Sequence, residues 1–154
     1  MRRSLDYRFM KHVIAPVIKG KAIRASMVET GIKGIRTVKV DDSNTAEALG
    51  SGTLPVFATP AMIALIEATA SQSVAPHLEE GSSTVGTHLD IAHSAASPVG
   101  IEVTCETELI EVDRRRLVFS VVVRDSVGEV GSGTHERFIV DNAKFMSKAN
   151  SKLE

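Results

Sequence analysis

Apolar and polar residues alternate with a period of two over residues 34–40, 83–95 and 101–109, the pattern of strands that bury one face. Residues 117–123 and 130–140 continue it as two further strands. Turn residues separate the last four runs, at Ser97-Pro98-Val99-Gly100, Asp113-Arg114-Arg115 and Ser126-Val127-Gly128-Glu129. Between the first strand and these four the period changes. Asp41-Asp42-Ser43-Asn44 offers caps for a helical turn over residues 45–49, which Gly50 closes before a flexible joint at residues 50–53. A long helix then begins at Thr59, read as its N-cap, with Pro60 at the first helical position and an end near Pro76. Residues 143–149 predict a short terminal helix. The order is one strand, one long apolar helix and four strands joined by tight turns, which predicts an α+β fold with an antiparallel sheet curled around the helix.

At 154 residues the chain is long enough for one core, and its 43% hydrophobic and 24% charged residues are ordinary for a globular protein. The net charge of −1 gives no basic surface for nucleic acid. The charge is uneven, however. Residues 1–26 carry Arg2, Arg3, Arg8, Lys11, Lys19, Lys21 and Arg24 against Asp6 alone, a net +6, so residues 27–154 carry −7. That contrast predicts a basic N-terminal extension over residues 1–26, ahead of a main domain at 27–154. The lone Cys105 excludes an internal disulfide and a cysteine metal site, and its default setting is reducing and cytoplasmic. No apolar run is long enough to span a bilayer.

The chemistry begins at Glu67, the only charged residue between Thr59 and Val74. Burying an unpaired carboxylate costs several kcal/mol, so a partner or a reactive role is expected. Alternation over residues 83–95 puts Thr87, Leu89, Ile91 and His93 on one face and Gly86, His88, Asp90 and Ala92 on the other. If the first face covers the helix, His93 and Glu67 meet in the core, either as a structural pair or as a proton-sharing couple. Thr59 is a common cap, or it supplies or positions a nucleophile at a helix end whose free N–H groups stabilise a developing oxyanion. Arg137, His88 and His135 read most simply as solvated, Glu102, Glu106 and Glu108 as an exposed strand face, and Cys105 as core. The glycines at 131 and 133 leave room for a close backbone or ligand approach.

Three segments carry a resemblance: Val56-Phe57-Ala58-Thr59-Pro60-Ala61-Met62 with Glu67; Gly86-Thr87 and His93-Ser94-Ala95-Ala96-Ser97-Pro98; and Gly131-Ser132-Gly133-Thr134-His135-Glu136-Arg137. Together they resemble the fluoroacetyl-CoA thioesterases and their broader hotdog-fold relatives. The resemblance covers residues 30–150 and keeps the intervals of eight from Thr59 to Glu67 and twenty-six from Glu67 to His93. It implies a hotdog fold, a homodimer with sites at the subunit interface, and hydrolysis of a short or medium acyl-CoA. It further implies catalytic roles for Thr59, Glu67 and His93, substrate contacts from Gly86 and Arg137, and no metal or organic cofactor beyond the CoA of the substrate. One departure is plain. The fluoroacetate-hydrolysing member has an aromatic lid before the helix, whereas Gly50-Ser51-Gly52-Thr53-Leu54-Pro55 contains no aromatic residue and Phe57 is the only one nearby. The alternatives are a hotdog acyl-CoA hydratase or dehydratase, whose Asp and His motif is not found here, and a non-catalytic acyl-CoA binding protein.

Overall fold

The computed structural model describes residues 27–153, so the basic extension at residues 1–26 lies outside the described part. Strand β1 (Lys33–Lys39) leads to the short helix α1 (Ala46–Leu49), capped by the Thr45 hydroxyl on Ala48 N and closed by Gly50 in the left-handed region. The long helix α2 (Thr59–Val74) follows, and a 3-10 turn at Ala75–His77 ends it. Strands β2 (Ser82–His93), β3 (Glu102–Asp113), β4 (Arg116–Asp125) and β5 (Glu129–Asp141) come next, then α3 (Asn142–Asn150), capped by Asp141. Every predicted element is present.

The five strands form one antiparallel sheet in the order β1-β3-β4-β5-β2. The chain therefore leaves one edge with β1 and re-enters at the opposite edge with β2. Helix α2 makes that crossing over one face of the sheet, which is why it must be apolar toward that face. Met62, Leu65 and Ile66 pack with Val103, Cys105, Val121, Val123 and Val130 at one end of the core. Ala70 and Val74 pack with Leu109, Leu117 and Phe119 at the other. Cys105 is fully buried, as its place on the apolar face of β3 predicts.

Two local features differ from the sequence reading. The N-cap of α2 is Ala58, and Thr59 is the first helical residue; its hydroxyl turns away from the helix backbone to a partner on β2. In β2 the alternation is interrupted. Gly86 pairs with Arg137 and His88 with Glu136, so Thr87 is an extra residue, a β-bulge that reverses which face later residues occupy. Thr84 and Gly86 before the bulge, and Leu89, Ile91 and His93 after it, all face α2. Strict alternation had set Gly86 and His93 on opposite faces. The roomy glycines of β5 serve packing: a Cβ on Gly131 would press on the Met62 side chain, and one on Gly133 would overlap the Asp90 backbone.

Candidate active site

Two clusters of polar side chains face α2. The first is at the helix start, where Thr59 Oγ1 lies 2.8 Å from His93 Nδ1. Both line an open cleft of about 260 Å³ with Val56, Phe57, Ser94, Ala95 and Ala96. In the arrangement suited to general-base chemistry, the hydroxyl donates to Nδ1 and the ring takes its proton. The helix N-terminus adds free N–H groups beside the cleft, although Pro60 contributes none.

The second cluster surrounds Glu67. Because Gly86 has no side chain, the Glu67 carboxylate fits over it; a Cβ there would overlap Oε2 and lie 3.3 Å from His135 Cε1. Opposite Gly86 in the sheet stands Arg137, whose Nη1 donates to Glu67 Oε2 at 3.1 Å. Arg137 Nε donates to Thr84 Oγ1 and Nη2 to the Thr84 carbonyl, both at 2.7 Å. Nη1 also lies 3.2 Å from His135 Nε2, and His135 Nδ1 lies 2.9 Å from the His88 carbonyl oxygen. Burial lowers the pKa of Arg137, against the opposing pull of the Glu67 hydrogen bond and charge. Burial also lowers that of His135, with the Arg137 charge acting in the same direction. Among the described residues Glu67 Oε1 accepts no hydrogen bond, and the Glu67 side chain is 41% exposed, so that oxygen is open to water or substrate.

Three expectations are corrected. Glu67 does not meet His93; each has another partner, Arg137 and Thr59. The reason is distance within one chain, since eight helical residues separate Thr59 from Glu67 by about 12 Å along the axis, and His93 and Gly86 stand about 20 Å apart along β2. Arg137 is no surface arginine, for its side chain is 6% exposed. His135 is not solvated but fully buried, whereas His88 is exposed. The signal for both was the phase of β5, in which Gly131, Gly133, His135 and Arg137 share the inward face. Polar residues on both faces of that strand concealed it. Glu102 and Glu106 are exposed and Glu108 half-buried, close to expectation. Among the described residues no three His, Cys, Asp or Glu side chains converge as metal ligands would, and no helix is long and apolar enough to cross a membrane.

Known proteins give this geometry its class. A structure of the fluoroacetyl-CoA thioesterase FlK matches with a TM-score of 0.77 at 36% identity, covering 81% of this chain and 97% of that one. A hot-dog-like protein from Thermanaerovibrio acidaminovorans matches with a TM-score of 0.76 at 22% identity, covering 83% of this chain and 95% of that one, and shares the fold. The sheet wrapped around one long helix is thus a hotdog fold of the α+β class, and the chain is a thioester hydrolase. The fluoroacetyl-CoA thioesterase of Streptantibioticus cattleyicolor is 43% identical over 97 residues, which are 63% of this chain and 70% of the relative. Residues 40–143 match the family described as fluoroacetyl-CoA-specific thioesterase, and the chain belongs to that family.

Proposed function

We propose that the protein hydrolyses a short or medium acyl-CoA, using Thr59 and His93 of one subunit together with Glu67 and Arg137 of a second copy in a homodimer. The observation that carries this reading is the separation of the two clusters. A thioester carbonyl spans only a few ångströms, so it cannot touch both clusters of a single chain. Among the described strands β2 is a sheet edge, a natural place for another strand to add. Antiparallel pairing of two β2 strands about a two-fold axis through Asp90, with the bulge at Thr87 counted as one extra residue, would set Gly86 of one opposite His93 of the partner subunit. Each such dimer would hold two equivalent sites.

In this site the small cleft beside Thr59 and His93 takes the acyl end, and N–H groups at the start of α2 or near Gly86 stabilise the oxyanion. Hydrolysis breaks the C–S bond, transfers the oxygen of water to the acyl group and returns a proton to the CoA thiolate. Three routes satisfy that balance: attack by Glu67 to form an anhydride, attack by Thr59 with His93 as base, or attack by water activated by Glu67. The Thr59–His93 hydrogen bond favours the second for the hydroxyl, and the free Oε1 favours the third. The absence of aromatic residues over residues 50–55 argues for an acyl group other than fluoroacetyl.

Thiol release measured over a panel of acyl-CoAs, with wild type and Glu67→Gln side by side, tests the reading. The wild type is expected to turn over short acyl chains best, with the variant reduced about 100-fold or more. Equal rates in the two proteins would refute a role for the carboxylate. Single-turnover hydrolysis in heavy-oxygen water separates the routes, since label entering Glu67 marks the anhydride.

A further inference from the structure

We propose that His135 is a positioning residue for Glu67, acting through Arg137 as a neutral imidazole of fixed tautomer. The inference rests on the reading of Glu67 given above. The ring has two hydrogen-bond partners of opposite kind. The His88 carbonyl can only accept, so Nδ1 carries the proton at their 2.9 Å contact. The Arg137 guanidinium can only donate, so Nε2 presents its lone pair at 3.2 Å. These two contacts define one tautomer and exclude the imidazolium, which would turn an N–H against Arg137.

The consequence for Arg137 is orientation. Its Nη1 has two hydrogens, one for Glu67 Oε2 and one for His135 Nε2. With Nε and Nη2 tied to Thr84, the guanidinium is held at four points, and its direction toward Glu67 is set. Without the histidine acceptor, one buried N–H of Arg137 loses its partner and the group is free to pivot on Thr84. The β2 bulge belongs to the same device, because it brings the His88 carbonyl within reach of the ring. Phe119 packs beside His135 with ring centroids 6.3 Å apart and fixes its plane. The charged or titratable groups felt by His135 are Arg137, Glu67 and Glu136, and Glu136 is itself tied to Arg116.

Two substitutions divide the contacts of the ring. His135→Gln can still accept from Arg137, whereas His135→Asn is too short to reach it while keeping a donor for the His88 carbonyl. The proposal predicts that His135→Asn lowers kcat about tenfold or more with KM within about twofold, while His135→Gln stays within about threefold of wild type in both. Wild-type kcat in His135→Asn, or equal losses in the two variants, would overturn it, because a purely structural histidine does not distinguish them. Glu67→Gln is assayed alongside. An inactive Glu67→Gln with a fully active His135→Asn overturns this inference alone, whereas an active Glu67→Gln overturns the reading beneath it as well.

Discussion

Glu67 occupies the space that a side chain on residue 86 would take, and this dependence of a charged residue on a missing Cβ is open to a direct test. Alanine at position 86 would push the carboxylate off Gly86 and away from Arg137, while the backbone of β2 stays paired. Gly86→Ala is therefore expected to reduce thiol release by about tenfold or more, with a melting temperature close to wild type by thermal denaturation. Unchanged turnover would show that Glu67 needs no fixed position. The partner of Glu67 was not legible in the sequence. A lone carboxylate in an apolar helix announces a partner but does not name it, and Arg137 resembles any arginine of a polar strand until the inward phase of β5 is known.

At the scale of elements, periodicity was a good guide because strands and helix each bury one face. All five strands, the long helix and the terminal helix are where alternation and turn residues put them. Alternation fails where a strand gains a residue: the register also shifts at Ile110 in β3 and at Val130 in β5, but the shift that matters for the site is in β2, where Thr87 reverses the faces and nothing in Val85-Gly86-Thr87-His88 marks the bulge except the glycine. The helix start was misread by one residue because threonine before proline fits the cap, whereas Thr59 bonds to His93 instead. Where α2 crosses β1 and β3, the core contains a polar defect. Thr107 faces the helix, is 3% exposed, and among the described residues its hydroxyl has no hydrogen-bond partner. Thr107→Val removes that hydroxyl at nearly constant shape and is expected to raise stability by about 1–2 kcal/mol in chemical denaturation. A loss of stability would mean that the hydroxyl is satisfied in solution.

Over the whole molecule, the buried imidazole links stability to pH. The folded state holds the His135 pKa below its ordinary 6.5, first through burial, so the unfolded chain binds the proton more readily. That contribution is fully present above about pH 6.5 and is lost as pH falls from there through the folded value. Asp125 adds an acid term of the same direction. Backbone N–H of Val127 and the Ser97 hydroxyl hold its pKa below 3.8, and that contribution is lost only as pH falls below the ordinary carboxylate range. Thermal denaturation is expected to give a melting temperature that is level above pH 7 and declines below 6.5, with the upper part of the decline absent in His135→Gln. An identical decline in that variant would remove His135 as its cause.

The proposed active site joins two chains, and that proposal can be read out by mixing inactive subunits. Thr59→Ala and Glu67→Gln are each expected to be nearly inactive alone; refolded or coexpressed together, they form mixed dimers in which one site has both mutations and the other has neither. The account predicts that thiol release returns in the mixture, up to about half the wild-type rate per mixed dimer. A mixture no more active than its two components, although mixed dimers form, would contradict it.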